Sequence, residues 1–195
     1  MLKKLTITAF SVFLAACSSI DTQTPPPASD SWENHQSALK ALENWDISGK
    51  IGIITPDSSN SASLKWLQEQ QQYQIDIHGP LGQGGASIQG TPGQVTVDIS
   101  GEGIFVGPDP EFILYQQLGW DIPISDIYWW IRGLPSPDSQ FEHSLESNRL
   151  KTLQQNGWTI QYLRYNSLEP ALPRKIKLFR NGLKITLVVH SWITL

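Results

Sequence analysis

Charge, cysteine and long hydrophobic segments are all scarce in this sequence of 195 residues. Charged residues make up 16%, and 14 basic against 18 acidic residues give a formal net charge of −4. Because nucleic acid is bound through basic surfaces, this balance argues against a nucleic-acid partner. The single cysteine excludes a disulfide framework and a cysteine-cluster metal site. A hydrophobic share of 39% in a chain of this length is nevertheless enough for one domain with its own core.

The one long apolar run stands at the N-terminus, where the sequence reads MLKKLTITAFSVFLAAC. Two lysines precede an apolar segment, residues 5–16, which has the length of a secretory signal and is too short for a stable membrane span. The run ends in Leu14-Ala15-Ala16-Cys17, which resembles the lipobox of bacterial lipoproteins. That resemblance implies that residues 1–16 are a signal peptide and that Cys17 is lipidated. The alternative is an ordinary secretory signal followed by an incidental cysteine.

Lipidation would make Cys17 a membrane anchor, since several acyl chains give stable attachment. Removal of Lys3 and Lys4 with the signal would take the formal net charge from −4 to −6. By resemblance to enterobacterial lipoproteins, Ser18 in place of an aspartate favours the outer membrane. Residues 17–31 then form the lipidated N-terminus and a tether rich in Ser, Thr and Pro, and residues 32–195 form a single folded domain.

Alternating apolar residues predict strands over much of the remaining chain. Ser31 is a candidate N-cap for a helix that runs from Trp32 to Trp45. After it, alternating segments are spaced about ten residues apart, as in a β-meander or barrel. The alternation covers residues 46–53, 61–66, 72–77, 86–89, 95–99, 158–162, 175–179 and 183–189, with Asn181-Gly182 as a hairpin turn.

Two short helices are predicted to interrupt the sheet, at residues 111–118 and 125–131. The predicted fold class is therefore mainly β with a helical insert. The second helix contains Tyr128-Trp129-Trp130-Ile131, and consecutive side chains cover more than one face of a helix. These side chains either fill a tightly packed core or close and line an apolar cavity.

No residue pattern typical of catalysis or of a metal site is present. The four histidines lack metal-ligand spacing, a GxSxG elbow is absent, and the only cysteine is the lipidation candidate. The segment Gly101–Gly107 fits a hairpin turn better than a dinucleotide fingerprint. The carboxylates of Asp121, Asp126, Asp138 and Glu142 show no spacing that pairs them as acid and base. The sequence thus predicts neither an enzyme nor a cofactor.

A glycine-rich turn follows the predicted strand at residues 72–77. It reads His78-Gly79-Pro80-Leu81-Gly82-Gln83-Gly84-Gly85, and its one large apolar side chain is Leu81. A leucine in such a turn either folds back onto the domain or projects to contact a membrane or a cargo. The sequence pattern leaves both interpretations open.

These motifs, taken in order, resemble the LolB family of outer-membrane lipoprotein receptors. The resemblance implies an open antiparallel β-barrel of about eleven strands, with helices covering an apolar cavity. It also implies that Leu81 projects from its loop and helps to insert cargo into the membrane. The segments that carry the resemblance are the lipobox and its Pro-rich tether, Trp32-Glu33-Asn34-His35-Gln36, Gly79-Pro80-Leu81-Gly82, Ile122-Pro123-Ile124, Trp129-Trp130-Ile131-Arg132-Gly133-Leu134-Pro135 and Leu172-Pro173.

The function implied by this resemblance is the reception of lipoproteins at the periplasmic face of the outer membrane. Acylated lipoproteins would arrive on a soluble periplasmic carrier of the LolA type and pass into outer-membrane lipid without catalysis, and the receptor is expected to be a monomer. The alternation pattern makes nine residues candidates for the acyl-chain cavity: Ile51, Ile53, Leu64, Trp66, Ile75, Ile77, Phe112, Trp129 and Trp130. A scaffold lipoprotein with a filled core is the alternative, because it would explain the tether and the strands equally well.

Overall fold

Three helices and eleven strands make up the described part of the chain. The computed structural model describes residues 31–80, 84–137 and 139–195, so Cys17, Leu81 and Asp138 lie outside the described residues, as do the signal peptide and all but the last residue of the tether. The helices are α1 (Trp32–Lys40), α2 (Pro110–Leu118) and α3 (Ile124–Trp130). The strands are β1 (Asn44–Ile54), β2 (Ser59–Glu69), β3 (Gln72–His78), β4 (Gly85–Thr91), β5 (Gln94–Ile99), β6 (Gly103–Gly107), β7 (Phe141–Glu146), β8 (Arg149–Gln155), β9 (Trp158–Tyr165), β10 (Pro173–Arg180) and β11 (Leu183–Thr194).

All of these strands belong to one antiparallel sheet that does not close. Their order is β6-β5-β4-β3-β2-β1-β11-β10-β9-β8-β7, so β6 and β7 are its two edges. The pairing of β1 with β11 joins the first strand to the last, and every other pair consists of strands consecutive in sequence. The predicted mainly β fold, an open antiparallel barrel with a helical insert, is confirmed.

A bulge in β11 lets apolar side chains on both sides of it face the core. Val189 pairs with Gly49, whereas the next pair is Ser191 with Ser48, so β11 has one extra residue at this point. The next inward-facing side chain after Val189 is therefore Trp192, which lies opposite Ile47 and packs against the core. Gly49 is required here, because a Cβ on it would overlap the carbonyl oxygen of Val188.

The first helix begins as predicted and ends earlier than predicted. The Asn34 backbone N–H donates to Ser31 Oγ at 3.2 Å, which confirms Ser31 as the N-cap. The helix stops at Lys40, and Trp45 is a fully buried residue of β1 instead of the end of the helix. Pairing with both β2 and β11 starts at the first residues of β1, and these two ladders override the helical spacing of Leu39, Leu42 and Trp45.

Three strands, β6, β7 and β8, lie where alternation predicts none. The segment Gly101–Gly107 contains a turn at its start, as expected of a hairpin, and continues as β6. Both β6 and β7 are edge strands, and all six residues of β7 are exposed.

Candidate functional site

An apolar cavity of about 260 Å³ lies at one end of the barrel. This is the end where β1 turns into β2, β3 into β4 and β5 into β6, since Ile53, Ile77 and Ile99 near the C-terminal ends of β1, β3 and β5 all line it. Apart from the backbone, Ser100 and Glu102 in the β5–β6 turn and the indole N–H groups are its polar groups. The complete lining is Ile51, Ile53, Leu64, Trp66, Ile75, Ile77, Gly85, Ala86, Ile88, Ile99, Ser100, Glu102, Leu114, Leu118, Trp120, Ile122, Ile124, Ile127 and Leu187.

Strand register makes the wall of this cavity continuously apolar. Residues opposite each other on antiparallel strands point to the same face of a sheet. One such row runs from Leu64 through Ile77 and Ala86 to Ile99 across β2 to β5. The neighbouring row contains Trp66, Ile75 and Ile88. Ala86 is the smallest side chain of its row, which leaves open space in front of it.

The second and third helices, with the segment between them, cover the cavity. Helix α2 contributes Leu114 and Leu118, and α3 contributes Ile124 and Ile127. Their apolar sides therefore face the strands across the open space.

Two hydrogen bonds hold this cover in place. The Phe112 backbone N–H donates to Asp109 Oδ1 at 2.7 Å, which caps the start of α2. The Ser125 backbone N–H donates to Glu111 Oε1 at 2.7 Å, which ties the first turn of α3 to α2. Helix α2 ends at Gly119, whose φ of 66° lies in the left-handed region that glycine adopts without strain.

The other half of the barrel is filled by large side chains. Trp130 and Trp158 are buried there, with ring centres 6.3 Å apart. The Trp130 indole donates to Gln155 Oε1 at 2.9 Å, and the Tyr162 hydroxyl donates to the Trp130 carbonyl oxygen at 3.0 Å. These bonds satisfy polar atoms that would otherwise be costly to bury. The apolar cavity thus lies against the other half, where β1 to β5 and Leu187 of β11 form its wall.

The structure brings six of the nine cavity candidates together. Ile51, Ile53, Leu64, Trp66, Ile75 and Ile77 all line the cavity. The other three do not line it. Phe112 lies on the outer side of α2 with 57% of its surface exposed, Trp130 packs in the filled half, and Trp129 packs partly against Leu39, Leu134 and Leu172.

Thirteen further lining residues were missed by the sequence reasoning. Ile88 and Ile99 stand in predicted strands, so a consistent use of alternation would have found them. The residues from α2, α3 and the segment between them could not be found in this way, because helical spacing alone does not say which face covers a cavity. They include Leu114, Trp120 and Ile127.

A second space of about 390 Å³ lies beside the cavity and shares Trp66 and Ile124 with it. Its other aromatic walls are Tyr73, Tyr128 and Trp129. Burial raises the pKa of the Tyr73 hydroxyl to about 12, and the nearby carboxylates of Glu111 and Asp109 act in the same direction. We call this space the aromatic groove. The side chains of Trp66 and Ile124, which line both spaces, separate it from the cavity.

A buried arginine connects the end of α3 to the segment between α1 and β1. Arg132 is only 1% exposed, and its guanidinium carbon lies 4.0 Å from the centre of the Tyr128 ring and 4.8 Å from that of Trp129. Its Nη1 donates to the Leu42 carbonyl oxygen at 2.9 Å, and its Nε donates to the Tyr128 carbonyl oxygen. Burial lowers the pKa of Arg132. The side chain therefore positions the cover relative to the segment between α1 and β1.

Among the residues that the structure describes, no group of three or more His, Asp or Glu side chains could hold a metal ion. No helix within the described ranges is long and apolar enough to cross a membrane. The chemistry that the described geometry offers is the exclusion of water from an apolar ligand.

The glycine-rich loop is anchored at the cavity end of the barrel. The Gly79 backbone N–H donates to the Gly84 carbonyl oxygen at 3.1 Å, which closes the base of the loop that contains Leu81. Ile77 before this loop and Gly85 and Ala86 after it line the cavity. The described residues on either side of positions 81–83 therefore adjoin the cavity wall.

Comparison with known proteins gives the family. The LolB family model, described as Outer membrane lipoprotein LolB, matches residues 43–192. The chain belongs to the LolB family. A LolB protein named Outer-membrane lipoprotein LolB, from Stutzerimonas stutzeri, is 39% identical over 197 residues, which cover 98% of this chain and 96% of that protein. The LolB protein of the same name from Pseudomonas putida is 43% identical over 163 residues, covering 83% of this chain and 80% of that protein.

Solved structures share the fold at low sequence identity. A LolA superfamily protein from Nitrosomonas europaea matches with a TM-score of 0.56 and 11% identity, covering 83% of this chain and 92% of that one. A DUF1329 family protein from Desulfovibrio piger matches with a TM-score of 0.57 and 6% identity, covering 86% of this chain and 92% of that one. This LolB-family chain and a LolA superfamily protein thus share an overall fold.

Proposed function

We propose that this chain receives acylated lipoproteins from a soluble periplasmic carrier and delivers them into the outer membrane. Membership of the LolB family, whose relatives are named outer-membrane lipoproteins, supports a role in lipoprotein localisation. The observation that carries the proposal is the apolar cavity beneath α2 and α3. A scaffold lipoprotein with a filled core would not need such a space.

The cavity as the structure shows it is too small for a long acyl chain. Its volume of about 260 Å³ is smaller than that of the sites that hold drug-sized ligands, roughly 300–1,000 Å³. A long acyl chain therefore needs additional space. The aromatic groove supplies about 390 Å³ once the Trp66 and Ile124 side chains turn aside. Displacement of α2 and α3 would enlarge the cavity at its other wall.

Moving an acylated lipoprotein between two proteins requires that its acyl chains stay protected from water, and it requires no chemical energy. Burial of each methylene group is favourable by about 0.8 kcal/mol. Exposing a whole long acyl chain to water therefore costs roughly 10 kcal/mol of free energy. A lipoprotein with several such chains must pass directly from one apolar site to the next. The direction of transfer then follows from increasing affinity along the route, because a ligand shifts an equilibrium by its differential affinity alone.

Two residues outside the described part complete the proposal. Cys17 anchors the chain to the periplasmic face of the outer membrane, which keeps the domain at a high effective concentration near the acceptor lipid. Leu81 contacts that lipid during release, and this role is supported by the described residues on either side of positions 81–83, which adjoin the cavity wall.

The proposal is tested by cargo transfer in the absence of nucleotide. A carrier loaded with an acylated lipoprotein is mixed with the full lipidated chain in vesicles, and movement of the cargo into the vesicles is measured. Ile75→Asp places a carboxylate inside the cavity, and we expect it to abolish transfer. Gln74→Glu adds one negative charge to the opposite, exposed face of the same strand and is expected to transfer normally. Normal transfer by a folded Ile75→Asp variant would contradict the proposal.

A further inference from the structure

Basic side chains are concentrated on the outer face of one part of the sheet. Strands β9, β10 and β11 contain six basic residues and no acidic residue, in a chain whose formal net charge is −4. Four of these residues and one from β1 form what we call the basic face: Lys50, Arg164, Lys175, Lys177 and Lys184. The charge of this face is thus opposite to that of the whole protein.

Strand register places these side chains next to one another. Lys50 pairs with Val188, Val188 with Lys175, and Lys175 with Arg164, which gives one line across β1, β11, β10 and β9. Because neighbouring strands are about 4.8 Å apart, three basic groups lie within roughly 15 Å along this line. Lys177 follows two residues after Lys175 on the same face of β10.

Apolar side chains are interleaved with these charges. Val188 lies between Lys50 and Lys175, and the Lys184 Nζ atom lies 5.9 Å from the centre of the Phe179 ring. On the other side of Lys184, Ile54 is 41% exposed. Long lysine stems cover apolar surface while their ammonium groups reach outward. A mixed basic and apolar surface of this kind is typical of segments that bind at the membrane interface.

The charges of the basic face are not neutralised within the described residues. The ion pairs of this part of the chain join Lys151 to Glu146 and Arg180 to Asp121, and neither involves a member of the basic face. The nearest acidic residues by register lie at its rim, with Asp46 towards the start of β1 and Asp76 opposite Lys65. These five cations are therefore available to an external anionic surface.

We propose that the basic face docks on the anionic phospholipid surface of the membrane to which the chain is anchored. The tether between Cys17 and Ser31 is thirteen residues long and spans at most about 45 Å, so the domain stays close to that surface. Since the protein as a whole is acidic, an anionic surface repels most of it and selects the one basic face. The inference rests on membrane attachment and is independent of acyl binding in the cavity.

The basic face extends to the cavity end of the barrel. Lys184 pairs with Ile54, directly after the cavity residue Ile53. The Asn181-Gly182 hairpin before it packs near Pro56 at the same end. The basic face thus reaches the rim of the barrel where the cavity lies.

The test measures which face of the anchored domain meets the bilayer. The full lipidated chain is reconstituted in vesicles of phosphatidylcholine alone or with added phosphatidylglycerol. A nitroxide is attached at Thr186→Cys, in the row of the basic face next to Lys177, and in a separate sample at Gln89→Cys, on the exposed outer side of β4. Accessibility to a neutral, water-soluble relaxation reagent reports the docked fraction, and circular dichroism checks that each variant is folded.

We expect the label at position 186 to be protected on anionic vesicles only, while the label at position 89 is equally accessible on both. Each lysine near an anionic surface strengthens binding about fivefold, so Lys50→Gln with Lys175→Gln should lower the docked-to-undocked ratio roughly 25-fold. Lys40→Gln with Lys151→Gln removes the same charge elsewhere and should leave the ratio unchanged. Equal accessibility of position 186 on both vesicle types would overturn the proposal. So would protection that appears only when an acidic protein is added, or that survives the loss of both lysines.

Discussion

Filling the cavity should stabilise this protein and at the same time weaken acyl binding. The change is Ala86→Phe, because Ala86 is the smallest residue in its row and faces the open space. The phenyl ring would bury roughly 100 Å² more apolar surface than the methyl group, or about 2.5 kcal/mol at 25 cal/mol per Å². Ordering the side chain costs about 0.5–1 kcal/mol. The free energy of unfolding should therefore rise by about 1.5–2 kcal/mol.

The same ring should compete with cargo. If it displaces about three methylenes of an acyl chain, binding weakens by about 2.4 kcal/mol, which is roughly 60-fold. Unfolding is measured in denaturant by tryptophan fluorescence, and binding by titration with a fluorescent triacylated lipopeptide. The two measurements are expected to move in opposite directions, which a general packing defect would not produce.

Ala171→Phe is the matched control for this experiment. Ala171 is fully buried and does not line the cavity, so the larger side chain has no free space to occupy. Overpacking of this kind typically costs about 1–3 kcal/mol. A loss of stability in Ala86→Phe comparable to that in Ala171→Phe would show that no open space exists at Ala86 in solution and would refute the reasoning.

Three further predictions concern the packed half, the aromatic groove and the loop. Gln155→Leu removes the acceptor for the Trp130 indole and for the Ser136 backbone N–H, and should lower the free energy of unfolding by about 2–4 kcal/mol; a loss below about 0.5 kcal/mol would contradict the assigned network. Because the folded pKa of Tyr73 is raised from 10.0 to about 12, its contribution to stability is complete below pH 10 and is lost between pH 10 and 12. Denaturation across this range should show a shallower loss in Tyr73→Phe, and an unchanged slope would argue against the shift. Leu81→Glu should accept cargo normally but release less of it into liposomes, and undiminished insertion would exclude the proposed role of this leucine.

The sequence predicted those strands that have one buried face and one solvated face. Strands such as β3 alternate between a buried face and a solvated face, and their spacing was readable directly. Strand β7 has all six residues exposed, because it is an edge strand whose two faces both meet solvent. Without a buried face it shows no alternation, and only pairing with β8 makes it a strand.

The sequence predicted cavity-lining residues on the strands but not those on the helices. Residues such as Ile75 and Ile77 follow from alternation, because one face of a strand must turn to the core. The helical residues Phe112, Trp129 and Trp130 were predicted from the same alternation pattern, which does not describe a helix, and the fold distributes them over three different environments. Which face of a short helix covers a cavity depends on how the helix docks, and the hydrogen bond from the Ser125 backbone to Glu111 that fixes this docking joins residues of two separate helices.

The claim that acyl chains occupy the cavity is tested most directly by photo-crosslinking. A triacylated lipopeptide with a diazirine near the end of one acyl chain is bound to the full lipidated chain and irradiated, and the modified residues are identified by mass spectrometry. We expect adducts on cavity residues such as Ile75, Ile88 and Leu114, with competition by unlabelled lipopeptide. Adducts confined to exposed apolar residues such as Phe112 or Ile104, with none in the cavity, would contradict the account.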